Sequence, residues 1–126
     1  FETGGSERAF AAVLAAACEE LARMEVPHNL FVTDRGSRAF LFPNAYALRK
    51  AQGEVPEALV ASQVDPGCWE MAGHMVYKRE RDFEAASEES AWELLRHASL
   101  DARQFERVVA RVVAVVDRVQ AEHQPH

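Results

Sequence analysis

Asn29-Leu30-Phe31-Val32-Thr33-Asp34-Arg35-Gly36-Ser37-Arg38-Ala39-Phe40-Leu41-Phe42 carries the clearest local signal in the chain. Asn29–Thr33 and Arg38–Phe42 are short runs rich in β-branched and aromatic side chains, which suit a pleated, half-buried surface. Asp34-Arg35-Gly36-Ser37 between them is turn chemistry, with Gly36 free to take a positive φ. The segment reads as a β-hairpin, closed by Pro43-Asn44. Upstream, Val26-Pro27 ends a helix, because the residue before a proline is pushed out of the α region. That helix is predicted from an N-cap at Ser6 to about Met24, with Phe10, Val13, Leu14, Ala17, Cys18 and Leu21 on one face.

Beyond the hairpin the pattern loosens. Ala47–Ala51 suits a helical turn, Gly53 breaks it, and Pro56 can open another short helix through Val60. After the turn Asp65-Pro66-Gly67, Trp69–Arg79 reads as a further strand. Trp69, Met71, Gly73, Met75 and Tyr77 would share one face, with Glu70, His74 and Lys78 on the other. Two helices finish the chain, Glu88–His97 capped by Ser87 and Leu100 to about Ala121 capped by Ser99. The last helix is rich in valine, a weak helix former. Its Phe105, Val108, Val109, Val112, Val113, Val116 and Val119 nevertheless recur with helical period and are expected on its buried face. Glu122–His126 reads as a frayed tail. The expected fold class is α+β: a single domain over residues 1–126, with an antiparallel sheet and flanking helices.

The chain has 126 residues, 48% hydrophobic and 27% charged, an ordinary globular balance. A net charge of −6 argues against a nucleic-acid partner, which would need clustered cations to replace counterions on the phosphates. Lys78, Arg79 and Arg81 do gather, but Glu80 and Asp82 interrupt them, and a solvated surface run is the simpler reading. The longest apolar stretch, Phe10–Cys18, is about half of what a bilayer span needs, so no membrane insertion is expected. The chain opens on Phe1, the start that a fragment or a processed chain would show, and no signal peptide is expected. Cys18 and Cys68 lack CxxC or Cys/His spacing and read as reduced core thiols of a cytoplasmic protein.

Chemistry is harder to find. His28, His74, His97, His123 and His126 form no HxH or HExxH pattern. His123 and His126 make an HxxH in a Pro-containing tail without a third ligand, so no metal is expected. His97 suits a helix C-terminus, where a cationic imidazole is favourable. His74 follows Gly73, and a glycine within a strand marks close approach of a backbone or ligand. It is therefore the one candidate substrate contact, set against a plainer role as a hydrogen-bonded structural histidine. No nucleophile elbow, GxGxxG or P-loop occurs, and Glu19/Glu20 and Glu88/Glu89 read as solvated helix carboxylates. No catalytic residue and no cofactor are indicated by the residues.

Longer segments carry a resemblance. Gln63-Val64-Asp65-Pro66-Gly67-Cys68-Trp69-Glu70-Met71-Ala72-Gly73-His74-Met75-Val76-Tyr77-Lys78-Arg79 resembles the V-N-P-A-x-W-E-x-x-G-H-M-V-x-K-R segment of plant and algal GDP-L-galactose phosphorylases. Val26-Pro27-His28-Asn29 is similar to their I-P-[YF]-N, and Phe40-Leu41-Phe42-Pro43-Asn44-Ala45-Tyr46-Ala47 to their F-L-x-P-Q-x-Y-A. Ala51-Gln52-Gly53-Glu54-Val55, Asp82-Phe83-Glu84-Ala85-Ala86-Ser87-Glu88 and Ala91-Trp92-Glu93-Leu94-Leu95 follow in the family's order, and Phe1-Glu2-Thr3-Gly4-Gly5 resembles a stretch that lies mid-chain there. Asn44 stands at a common Gln and Asp65 at a common Asn.

The resemblance implies a histidine-triad-like half, related to galactose-1-phosphate uridylyltransferase, from the C-terminal part of a larger nucleotidyltransferase of ascorbate biosynthesis. Such an enzyme transfers GMP from GDP-L-galactose to phosphate through a guanylyl-histidine, giving GDP and L-galactose 1-phosphate. The family's catalytic histidine motif lies upstream of the part matched, and this chain has none. The expectation is a chain that is inactive alone, with the N-terminal catalytic part as its partner, GDP-hexose and phosphate as substrates of the whole, and a homodimer or larger assembly left open. Two alternatives stand beside it: a non-catalytic structural or regulatory subunit derived from this enzyme, and a GDP-D-glucose phosphorylase.

Overall fold

A computed structural model describes residues 7–124 of the chain. The elements are α1 (Glu7–Arg23), β1 (His28–Thr33), β2 (Arg38–Pro43), α2 (Tyr46–Ala51), α3 (Glu57–Ala61), α4 (Cys68–Met71), α5 (Glu80–Glu84), α6 (Glu88–Ala98) and α7 (Ala102–Glu122). Among the described residues the sheet is two-stranded and antiparallel, β1 beside β2, so the fold is α+β with a hairpin and flanking helices. Contacts divide it into two compact units, one of α1, the hairpin and α7, the other of Asn44–Ser99.

The first unit forms because two helices carry matching apolar stripes. Val13, Ala17 and Leu21 of α1 recur every four residues, as do Val108, Val112 and Val116 of α7, and the six side chains make one buried cluster. Leu41 of β2 packs against it, with Met24, Val26, Leu100 and Val119 at its margin. Beside this seam Glu20 is only 4% exposed, not solvated as its sequence suggests. It accepts a hydrogen bond from Arg111 Nε at 2.8 Å and another from Arg23 Nη1 at 2.8 Å, so the buried charge is paired across the helices. The Arg111 hydrogen bond, against an opposing desolvation effect, holds the Glu20 carboxyl below the usual carboxylate range.

α1 stops at Arg23, before the proline. Glu25 adopts φ +56, while Glu25 N–H donates to Ala22 O and Val26 N–H to Leu21 O. These are the two bonds of a Schellman stop, made here by a non-glycine residue. The Ser6 cap lies outside the described residues. In the hairpin Thr33 stands opposite Arg38, and Asp34, Arg35 and Gly36 all take positive φ, so the turn bends on three left-handed residues rather than on Gly36 alone.

The second unit gathers Tyr46, Val55, Val64, Leu94 and Ala98 into its own core. Asn44 donates to Pro66 O at 2.7 Å and accepts the Tyr46 N–H at 2.9 Å, which starts α2. Arg49 Nη1 donates to Arg96 O and Ser99 O, each at 3.0 Å, satisfying carbonyls at the negative end of α6. Ser87 caps α6 as expected, accepting the Ser90 N–H at 3.1 Å. The cap of α7 is Asp101, not Ser99: Asp101 Oδ1 accepts the Gln104 N–H at 2.8 Å, while the Ser99 hydroxyl turns back to Leu95 O. α7 runs to Glu122, and His123 Nδ1 meets Val119 O at 2.8 Å. Pro125 and His126 lie outside the described residues.

Trp69–Arg79 does not form the strand its alternation predicts. Cys68–Met71 is a helical turn, and Gly73 at φ +93 stops it, with His74 N–H bonded to Trp69 O at 2.8 Å. The local hydrogen bonds around Gly67 and Gly73 use the backbone groups that a ladder would need. Beyond the stop, Met75 and Tyr77 do alternate inward, against the second core. α5 follows, an element the sequence pattern did not announce.

Candidate substrate-contact surface

Glu70 is the fixed point of this surface. Its buried carboxylate accepts the Gly67 N–H at 2.9 Å, pinning the start of α4. One turn of helix then projects Trp69 outward, 68% exposed. The Gly73 stop brings His74 beside it, so that the two rings lie 5.7 Å apart between centroids and tilted by 58°. Met75 and Tyr77 tie the following residues into the core, and the Tyr77 ring meets the exposed Phe83 edge-on at 6.4 Å. Arg79 Nη2 donates to Asp82 Oδ1 at 3.0 Å and fastens the start of α5. The same pair lowers the Asp82 carboxyl pKa and raises that of the Arg79 guanidinium.

The arrangement suits binding rather than bond-making. An exposed indole beside an imidazole offers a flat surface for a planar base and a hydrogen-bonding edge. No group of three or more His, Cys, Asp or Glu able to hold a metal exists among the described residues. The other described histidines serve the fold: His28 Nδ1 meets Val26 O at 3.0 Å, His123 caps α7, and His97 lies in the last turn of α6, 4.0 Å from Glu93. His97 Nδ1 and Tyr46 Oη are buried with no hydrogen-bond partner among the described residues, and burial raises the Tyr46 hydroxyl pKa. Cys68 is exposed rather than a core thiol, whereas Cys18 is half-buried with its thiol pKa raised by burial. Glu88 and Glu89 are exposed, as expected.

Sequence reasoning singles out His74 but gives Trp69 no part in a site. A strand places residues five apart on opposite faces, whereas the helical turn and its Gly73 stop bring them together. The signal lies in the spacing Trp69-Glu70-Met71-Ala72-Gly73-His74, with an acidic residue inside the first turn and a glycine at its end.

The family described as GDPGP1-like, C-terminal domain matches residues 1–119. The chain belongs to this family. Trp69 and His74 fall within the matched region, as do both cores. Among relatives, GDP-L-galactose phosphorylase 1 of Arabidopsis thaliana is 41% identical over 110 residues, covering 87% of this chain and 25% of the relative. GDP-L-galactose phosphorylase 2 of the same plant is 49% identical over 83 residues, covering 66% of this chain and 19% of the relative. The chain thus spans a quarter or less of the length of these relatives. No solved structure matches it significantly. No helix among the described residues is long and apolar enough to cross a membrane.

Proposed function

We propose that this chain is the C-terminal domain of a GDP-L-galactose phosphorylase and that it contributes a binding surface, not the nucleophile. The observation that carries this reading is its 41% identity to phosphorylase 1 over only 25% of that relative's length. No HxH pattern occurs in the chain, so the reacting histidine belongs to the remainder of the enzyme. There it would attack the α-phosphorus of GDP-L-galactose and release L-galactose 1-phosphate. Inorganic phosphate would then take the guanylyl group from the histidine and leave as GDP. In this reading His74 and Trp69 contact the guanine or sugar of the bound GDP-hexose, which their ring contact supports.

The purified 126 residues, supplied with GDP-L-galactose and phosphate, are expected to form no GDP. Turnover by the chain alone would overturn the division of labour. In the full-length enzyme, Trp69→Ala and His74→Ala are each expected to raise KM for the GDP-hexose about tenfold, the worth of one lost stacking or hydrogen-bond contact, with kcat nearly unchanged. Unchanged KM in both would leave His74 a structural residue. Parallel turnover of GDP-D-glucose separates the two GDP-hexose readings.

A further inference from the structure

α7 has a second apolar stripe that the described residues of its own unit leave exposed. Phe105, Val109 and Val113, again four residues apart, are 50%, 41% and 50% exposed, although the adjoining Val108–Val112–Val116 stripe is buried against α1. With Leu41 and Pro43 of β2 opposite and Leu21 at its base, the stripe bounds a groove of about 180 Å³ with no charged side chain in its lining. A void of about 150 Å³ lined by aliphatic and aromatic groups is enough to take up a benzene ring. The groove therefore seats one large apolar side chain, with room at its mouth for the backbone that bears it.

The hairpin of the same unit also exposes apolar side chains among the described residues. Its Phe31 stands opposite Phe40 on the face away from Leu41, and both are exposed. Two strands with apolar side chains on both faces are marginal in water unless further structure packs on them.

We propose that the α7–β2 groove is the seat for an apolar segment of the catalytic part of the phosphorylase polypeptide, docking this domain onto the histidine-bearing remainder. The proposal rests on the phosphorylase reading above. The occupant is argued from length: the matched 110 residues are 25% of phosphorylase 1, so 75% of that polypeptide lies outside the region that carries the groove. Every lining residue, from Leu21 to Val113, falls inside the family match over residues 1–119, so the groove belongs to the domain proper.

The test is hydroxyl-radical labelling of Phe105, Val109 and Val113 in two settings. One is the isolated 126-residue chain, and the other is phosphorylase 1 with its matched segment replaced by this chain. Sedimentation of the isolated chain is run alongside. The expected result is a labelled monomer in isolation and about fivefold less labelling in the hybrid, as half-exposed side chains become interior ones. Equal labelling in both overturns the proposal. An isolated chain that sediments as a dimer with the stripe already protected also overturns it, in favour of a second copy. The native full-length polypeptide, labelled in the same way, is expected to protect the stripe as the hybrid does, and a fully labelled stripe there overturns the proposal without relying on the hybrid. Turnover of GDP-L-galactose is read separately: an active hybrid whose groove stays labelled sinks the docking alone, whereas a protected but inactive hybrid counts against the phosphorylase reading alone.

Discussion

Leu21→Ala tests the helix seam that organises the first unit. Leu21 is 0% exposed and touches both the α1–α7 cluster and the base of the groove. The substitution removes three carbons from a fully buried site, at about 0.8 kcal/mol each, or roughly 2.4 kcal/mol of transfer free energy. A cavity term of about 24 cal/mol per Å³ adds to this where neighbours cannot relax. Here the adjacent groove lets the walls settle inward, so the expected cost is roughly 3 kcal/mol, towards the low end for buried leucines. Val113→Ala is the control on the same wall. Val113 is half exposed, so its two lost carbons count for about half, near 0.8 kcal/mol, and alanine's better helix propensity returns about 0.5 kcal/mol of it. Urea titrations followed by ellipticity measure both. Tryptophan fluorescence, which reports only the Asn44–Ser99 unit that holds Trp69 and Trp92, separates that unit's transition. A Leu21→Ala cost below about 1 kcal/mol, or equal costs for the two variants, would refute the packing described here.

Two further substitutions address charge and capping. Glu20 has its pKa lowered chiefly by the Arg111 hydrogen bond, so its contribution to stability is full above the ordinary carboxylate range and is lost as pH falls through the depressed folded value. Melting temperature measured from pH 6 down to pH 2, about the range over which a paired carboxylate titrates, should fall less steeply for Glu20→Gln than for the unaltered chain, and parallel curves would contradict the pairing. Asp101→Ala should cost about 1 kcal/mol through the lost cap of α7, whereas Ser99→Ala should cost a few tenths, and the reverse order in thermal melts would restore Ser99 as the cap.

What the sequence discloses follows from where the physics is local. The hairpin is legible because its strand residues, turn residues and closing Pro43 agree with one another, and the final register pairs Thr33 with Arg38 as that turn length requires. The apolar stripes of α1 and α7 are legible from spacing, but the buried face it predicts on α7 is too wide: Val108, Val112 and Val116 are buried, whereas Phe105, Val109 and Val113 are exposed. The Trp69–Arg79 segment is misread because alternation of apolar residues is shared by strands and by a short helix followed by a non-helical stretch. Gly73 is the clue, acting as a helix stop and not as a gap in a strand. Glu20 looks solvated because its partner Arg111 is far away in sequence, and nothing local announces the pairing. The surface around His74 is half legible for the same reason: the histidine stands out, but the contact with Trp69 appears only once the helical turn is known.

Intact mass and N-terminal sequence of the native polypeptide test the central claim most directly. The domain assignment predicts a chain about four times the matched length, as in phosphorylase 1, with a histidine motif upstream of Phe1. A native polypeptide that begins at or near Phe1, with no such motif, would contradict it and leave a non-catalytic subunit in its place.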